Sequence, residues 1–161
     1  MKSKAALVLA FVLYVFPSFA VGERNVVFEY WDAAKTKPRN VQVFDEQQRQ
    51  DGEWMHWYEN GSLKSKTSFL HGEVLLMEAW HENGRKYIQQ PFAEGMAHGL
   101  WIWWDADGKV LAKSWFNMGT GVEHYYDDKG REKRRVFWMN GFIVREEVPG
   151  EGKKGESGGQ R

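Results

Sequence analysis

The chain has 161 residues, with 22 basic and 22 acidic side chains and no cysteine. The balanced charge argues against nucleic-acid binding, which needs a basic surface to neutralise phosphates. The lack of cysteine excludes disulfides and thiolate metal sites, so the fold must be stable without them. Nine tryptophans provide large apolar surfaces that can supply this stability by burial.

The first twenty residues have the pattern of a secretory signal peptide. Lys2 and Lys4 precede an uninterrupted apolar run, Ala5–Phe16, and Ser18–Ala20 resembles a cleavage site. As a helix this run would span about 18 Å, short of the ~30 Å membrane core, which disfavours an uncleaved anchor. We therefore predict cleavage after residue 20, export to the periplasm or beyond, and no transmembrane segment afterwards. Losing both lysines leaves two more acidic than basic residues.

Residues 21–51 look like a degenerate repeat that caps the array that follows. Its strands would be Val26–Trp31 and Val41–Phe44, joined by the polar stretch Asp32–Asn40, and a loop over 45–51 would lead to Gly52. Terminal units of repeat arrays are atypical because one side of each has no neighbour.

Residues 52–148 contain four copies of one pattern: an aromatic residue, three residues, a glycine, seven residues, a second aromatic, two residues and a second glycine. The copies are Trp57, Gly61, Phe69 and Gly72; Trp80, Gly84, Phe92 and Gly95; Trp104, Gly108, Phe116 and Gly119; and Tyr126, Gly130, Trp138 and Gly141. The copies repeat every 22 to 24 residues. Such a period is typical of stacked arrays in which each unit contacts mainly its neighbours.

Each copy predicts a β-hairpin. Strand-like stretches lead to the first aromatic at 53–57, 74–80, 100–104 and 122–126, and a polar turn ending in glycine follows each. Asn-Gly and Asp-Gly favour hairpin turns because both residues tolerate positive φ. No window shows helical periodicity. We therefore predict an all-β fold, an antiparallel meander of stacked hairpin repeats with almost no helix.

Alternation along the second strands assigns side chains to two faces. The face expected to pack carries Leu63, Ile88, Val110, Ala112 and Val136 with Phe69, Phe92, Phe116 and Trp138. The opposite face carries Lys64, Lys66, Tyr87, Gln89, Lys113, Trp115, Lys133, Arg135 and Phe137. Across the sheet, Lys66, Gln89, Lys113 and Arg135 would form a basic ladder with aromatic residues beside it.

The ladder has two interpretations. It is either a solvated face, with long side chains lying over rings, or a docking surface for an acidic or glycan partner. Aromatic and arginine side chains are common interface anchors. The predicted partner-binding residues are Lys66, Gln89, Lys113, Trp115, Arg135 and Phe137.

The end of the chain predicts a disordered tail after the last repeat. Residues 149–161 have no apolar residue after the proline and predict disorder. A meander has two open edges, which invite pairing with other chains. Lys133, Arg134 and Arg135 are interpreted as protection of the last edge.

No residue pattern predicts catalysis, a metal or a cofactor. The five histidines lack the spacing of metal ligands, and His71 and His81 fall at opposite ends of one strand. The acids around Asp107 resemble a calcium loop but lack its later ligands, so they are turn formers. There is no serine nucleophile elbow and no glycine-rich phosphate loop.

The repeat resembles the variant form of the MORN repeat, in which W-x-x-x-G is followed by a short polar strand and aromatic-x-x-G. Residues 57–64 and 126–133 carry this resemblance best, and it covers about residues 52–142. It implies stacked hairpins. Proteins of this variant are often described as antitoxin-like, and other MORN proteins as scaffolds linked to membranes or cytoskeleton. This chain differs from classical MORN proteins in lacking their dense glycine spacing. It differs from a cytoplasmic antitoxin in carrying a predicted export signal.

We expect an exported, non-enzymatic scaffold that binds a protein or an envelope component. The first alternative is an antitoxin or immunity-like inhibitor of a toxic protein, which the resemblance implies. The second alternative is a carbohydrate-binding module, motivated by the tryptophan content.

Overall fold

The computed structural model describes residues 24–150, which form one antiparallel sheet without any helix. The predicted signal peptide and residues 151–161 of the predicted tail lie outside the described residues. The strands are β1 (Asn25–Tyr30), β2 (Pro38–Phe44), β3 (Gly52–Trp57), β4 (Leu63–Leu70), β5 (Glu73–Trp80), β6 (Lys86–Ala93), β7 (Met96–Ala97), β8 (Gly99–Trp104), β9 (Val110–Asn117), β10 (Thr120–Tyr126), β11 (Glu132–Met139) and β12 (Phe142–Glu147).

The strands follow one another across the sheet in chain order. Only β7 leaves this path, pairing with β6 while β6 also pairs with β8. Every pairing is antiparallel, as expected where short turns join neighbouring strands. The prediction of an all-β meander of hairpin repeats is confirmed.

Two kinds of turn alternate along the repeats. Long turns cover 58–62, 81–85, 105–109 and 127–131, and in each the N–H of the first residue donates to the carbonyl of the fifth. Their fourth residue is the glycine of the repeat, at positive φ. Short turns have two residues, both at positive φ, and end in Gly72, Gly95, Gly119 and Gly141. Two positive φ values match the right-handed twist of the flanking strands.

Residues 45–49 form a further long turn that the sequence pattern does not reveal. Asp45 donates its N–H to the Arg49 carbonyl, and its carboxylate accepts the N–H groups of Gln47 and Arg49. Gln48 stands at φ 61, where the other long turns have glycine. The segment predicted as a plain loop is therefore built like the repeat turns.

The side chain of the first turn residue of one unit contacts the backbone carbonyl just before the next long turn. Trp31 donates its indole N–H to the carbonyl of Trp57 at 3.3 Å, and the Tyr58 hydroxyl donates to the carbonyl of Trp80 at 2.9 Å. His81 Nε2 lies 3.0 Å from the carbonyl oxygen of Trp104. Each bond joins one repeat to the next, so this histidine has a structural role.

One face of the sheet, called here the aromatic face, packs ring against ring. One cluster joins Phe44, Trp54 and Phe69 at centroid distances of 5.2 and 5.0 Å. A second cluster joins Phe92, Trp101, Phe116 and Trp138. Ala112, Phe116 and Val136 are buried, which confirms the predicted packed face at these positions. Stacked rings provide the core of a single sheet, since each large ring covers its neighbours.

A β-bulge in each hairpin corrects two of the predicted face assignments. Leu63 pairs with Trp57, and the register shifts by one residue between Trp57 and His56. Val110 pairs with Trp104 in the same way. Because residues that pair directly share a face, Leu63 and Val110 lie on the face opposite the rings, and the prediction that they lie on the packed face was wrong.

The interpretation of Lys133, Arg134 and Arg135 as edge protection is also wrong. They lie in β11, which pairs with β10 on one side and β12 on the other. The edge strands among residues 24–150 are β1 and β12.

We expect Gly119→Ala to destabilise the sheet more than Gly95→Ala. Both glycines have φ +73, so both alanines carry backbone strain of about 1–3 kcal/mol. At Gly119 the new Cβ would also lie 2.7 Å from the backbone nitrogen of Gly141, whereas nothing lies within 4 Å at Gly95. Urea unfolding of both variants measures the difference. Equal losses would show that the two short turns do not touch in solution.

Candidate binding face

The face opposite the rings, called here the ladder face, carries the predicted basic ladder in a single row. Strand register aligns Lys66 with Glu78, Glu78 with Gln89, Gln89 with Ile102, Ile102 with Lys113, Lys113 with His124, and His124 with Arg135. The four predicted ladder residues therefore occupy alternate strands of one row. The intervening strands place an acid, an apolar residue and a histidine between them.

The N-terminal part of the row is an internal ion-pair network. Lys66 Nζ lies 3.2 Å from Glu53 and 3.4 Å from Glu78, and Lys86 Nζ lies 2.7 Å from Glu78. Lys86 also donates to the side-chain oxygen of Gln89 at 3.2 Å. These partners leave Lys66 and Gln89 engaged within the sheet.

Glu78 is buried between Lys66 and Lys86, which stabilise its negative charge. Burial raises the pKa of Glu78, but the hydrogen bond and charge of Lys86, with the charge of Lys66, outweigh burial and lower the pKa overall. Burial likewise opposes the charged form of Lys66, yet Glu53 and Glu78 raise its pKa above the ordinary value. Removing Glu78 would leave Lys86 without its acidic partner, and removing Lys66 would leave Glu53 without its basic partner.

Glu132 organises the C-terminal end of the row. Its Oε2 accepts two hydrogen bonds from Arg135, at 2.8 Å from Nε and 2.5 Å from Nη2, and its Oε1 contacts His124 Nδ1. The hydrogen bonds from Arg135 and then His124 lower the pKa of Glu132 from 4.5 to about 2. Arg135 is therefore fixed by its own strand.

We expect Glu132→Gln to flatten the acid dependence of stability. Because the folded-state pKa lies below the ordinary value, ionised Glu132 stabilises the fold fully above about pH 4.5, and this contribution disappears as pH falls toward about 2. Urea unfolding at pH 7, 4.5 and 3 should show a smaller decline for the variant than for the unchanged chain. The control is Glu59→Gln, an exposed turn residue. Identical acid profiles for all three chains would contradict this role.

Lys113 and Trp115 are the predicted contacts that remain open to solvent. Lys113 is exposed and makes no ion pair with any other residue of the described range 24–150. Trp115 is 67% exposed, although it lies in the middle of β9. Its neighbour Phe116 is 2% exposed, because adjacent residues of a strand point to opposite faces.

An apolar row surrounds Trp115 on the ladder face. Trp115 pairs with Leu100 on β8 and with Val122 on β10, and Val122 pairs with Phe137 on β11. The Arg145 guanidinium lies 4.0 Å from the centroid of Phe137. We call the set Leu100, Lys113, Trp115, Val122 and Phe137 the platform.

The structure brings only part of the predicted site together. Lys113, Trp115, Arg135 and Phe137 lie on β9 and β11, two strands or about 10 Å apart. Gln89 lies two strands from β9 on the other side, and Lys66 lies four strands away, or about 19 Å. The sequence reasoning missed Leu100 and Val122, because it followed only the second strand of each hairpin. Alternation along β8 and β10 could have found them.

Neither a metal-binding cluster nor a membrane-spanning helix is found in the described part of the chain. Within residues 24–150, no group of three His, Asp or Glu side chains could hold a metal ion. A membrane-spanning helix is likewise absent from this range.

Among the comparisons with known proteins, the family model supports the repeat. Residues 50–71 and 97–114 match the family model described as MORN repeat variant. No curated protein matches the sequence. A similar solved structure is that of an S. aureus TarM mutant in complex with fondaparinux, α-GlcNAc-glycerol and UDP, at 14% identity and a TM-score of 0.22. The match covers 92% of this chain and 23% of that chain.

Proposed function

We propose that this chain, two stretches of which match the MORN repeat variant, is a non-enzymatic scaffold that binds a protein partner through the platform. The observation that carries the proposal is the exposure of Trp115 in the middle of a central strand, beside further apolar side chains. Exposed aromatic residues that form a continuous apolar surface with polar surroundings are typical of protein interfaces.

The charges around the platform indicate the chemistry of the partner. Lys113 lies two residues from Trp115 on the same face and is exposed, while Arg135 is already held by Glu132. A partner with an acidic side chain beside apolar ones would pair with Lys113 and cover Trp115 and Phe137. Burial of the tryptophan would supply most of the affinity, and the lysine would orient the partner.

Export is part of the proposal and is supported by the sequence of residues 2–20 alone. On this basis the partner is met in the periplasm or outside the cell. An inhibitor of a toxic protein is a narrower form of the same function, in which the partner is an enzyme that loses activity on binding.

The experiment is affinity capture from envelope extract with three full-chain baits: the unchanged chain, Lys113→Glu and the control Lys129→Glu. Lys129 is an exposed residue of the last long turn, and reversing it tests charge without touching the platform. Reversing Lys66 or Arg135 is less informative, because each change would leave Glu78 or Glu132 facing a new acid.

A protein retained by the unchanged and control baits, lost by Lys113→Glu, and binding one-to-one once purified would support the proposal. Equal recovery by all three baits would contradict it. Retention of a cell-wall polysaccharide that quenches tryptophan fluorescence would replace it with carbohydrate binding.

A further inference from the structure

The last strand of the sheet has an uncovered apolar edge. Phe142, Ile143 and Val144 are 74%, 52% and 56% exposed. They begin β12, which pairs with β11 on one side and with no other strand of residues 24–150. Natural sheets usually guard such an edge with lysine, proline or inward-pointing charge, because unpaired N–H and C=O groups attract another strand.

The exposed residues lie on both faces of the sheet. Phe142 pairs with Met139, two residues beyond Phe137 on the ladder face, and Ile143 pairs with Trp138 on the aromatic face. A partner that lay flat on one face would leave the other side uncovered. A strand added beside β12 would instead cover apolar side chains on both faces and pair the free backbone groups as well.

The second half of β12 is charged, and its charges define what could lie beside it. Arg145 lies over the Phe137 ring and 3.3 Å from Glu147, and Glu146 lies 3.6 Å from Arg134. Glu146 and Glu147 remain at least partly exposed. Each carboxylate can accept further hydrogen bonds, so the strand presents three apolar residues followed by an acidic end that is only partly paired.

We propose that β12 accepts an extended segment of another protein as an additional antiparallel strand. The segment has Lys or Arg opposite Glu146 and Glu147 and apolar residues opposite Phe142–Val144. An antiparallel arrangement continues the pairing of the whole sheet. This site uses the edge and not the platform, so neither proposal depends on the other.

Two other occupants match this edge less well. Paired along its whole length, a second copy of β12 would place Glu146 beside Glu146 in parallel register and apolar residues opposite acids in antiparallel register. An antiparallel pairing centred on Ile143 would join only residues 142–144 and leave both glutamates without a cation from the second copy. Residues 151–161 of the same chain contain no apolar residue, so they would not bury Phe142 or Ile143.

The probe is a labelled peptide, Ser-Lys-Lys-Thr-Val-Ile-Val-Ser, whose lysines oppose the two glutamates in antiparallel register. Its control has the same residues in reverse order. By fluorescence anisotropy on the full chain, we expect the first peptide to bind at least about tenfold more tightly, a difference of about 1.4 kcal/mol. Hydrogen exchange should show slower exchange at residues 142–147. Equal binding of the two peptides would overturn the proposal.

Variants of β12 provide the second test. Phe142→Lys with Val144→Lys changes two exposed residues and should abolish peptide binding while the circular dichroism spectrum stays the same. Glu146→Lys with Glu147→Lys should lose the lysine peptide and bind a version with glutamates in place of the lysines. Retained binding by either double variant would contradict the proposal.

The Phe142→Lys and Val144→Lys variant, together with a chain that ends at residue 150, tests the two other occupants. Self-association of the unchanged chain that the Phe142→Lys and Val144→Lys variant loses would show that a second copy covers the edge. Peptide binding only by a chain that ends at residue 150 would show that the chain's own last residues cover it. Either result would overturn the proposal.

Discussion

Replacing Phe116 by alanine will lower the free energy of unfolding by about 3–5 kcal/mol. The Phe116 ring is 2% exposed and lies 5.0 Å from Trp101 and 6.3 Å from Trp138. It therefore joins the rings of the third and fourth repeats. Its loss leaves a cavity on the aromatic face that a single sheet has no second layer to fill.

The measurement is urea unfolding followed by tryptophan fluorescence, with Leu111→Ala as the control. Leu111 lies on the same strand but is 40% exposed, so its loss should cost less than about 1 kcal/mol. Equal effects of the two substitutions would show that the ring clusters do not stabilise the sheet.

Replacing Trp115 by alanine will weaken partner binding by about 2 kcal/mol or more, roughly 30-fold, without unfolding the chain. Trp115 is next to Phe116 but faces solvent, so its removal creates no cavity. The free energy of unfolding should change by less than about 0.5 kcal/mol. The two neighbouring substitutions should thus separate stability from binding.

Calorimetric titration with the captured partner tests this expectation, with Tyr87→Ala as the control. Tyr87 is an exposed aromatic residue of β6, packed against His81 and away from the platform. Unchanged affinity of Trp115→Ala, or an equal loss for Tyr87→Ala, would place the interface elsewhere.

The fold could be predicted from the sequence because its determinants are local. Asn-Gly and Asp-Gly turns and alternating apolar residues recur at one spacing, and each acts within a single hairpin. The bulges could not be predicted, since the extra residue of β4 is visible only when Leu63 is seen to pair with Trp57. The turn at Gln48 could not be predicted either, because no sequence pattern marks a glutamine with positive φ.

The candidate site could be predicted only as a row of positions. Alternation correctly aligned Lys66 and Arg135 on one face. It did not show which cations of the ladder lack an acidic partner, because the partner carboxylates lie on a neighbouring strand or at a bulge. Glu78 belongs to the first strand of the next hairpin, and Glu132 reaches the ladder face through a bulge. The pairing register between strands, and not the local sequence pattern, therefore determines that Lys113 is the ladder cation without an ion-pair partner within residues 24–150.

Hydrogen exchange of the full chain with and without its captured partner tests the central claim most directly. If the platform binds the partner, backbone amides of β9 and β10 should exchange more slowly in the complex, and those of β3 to β5 should not change. Slower exchange confined to β3–β5 or to the long turns would contradict the assignment of the binding surface to the third and fourth repeats.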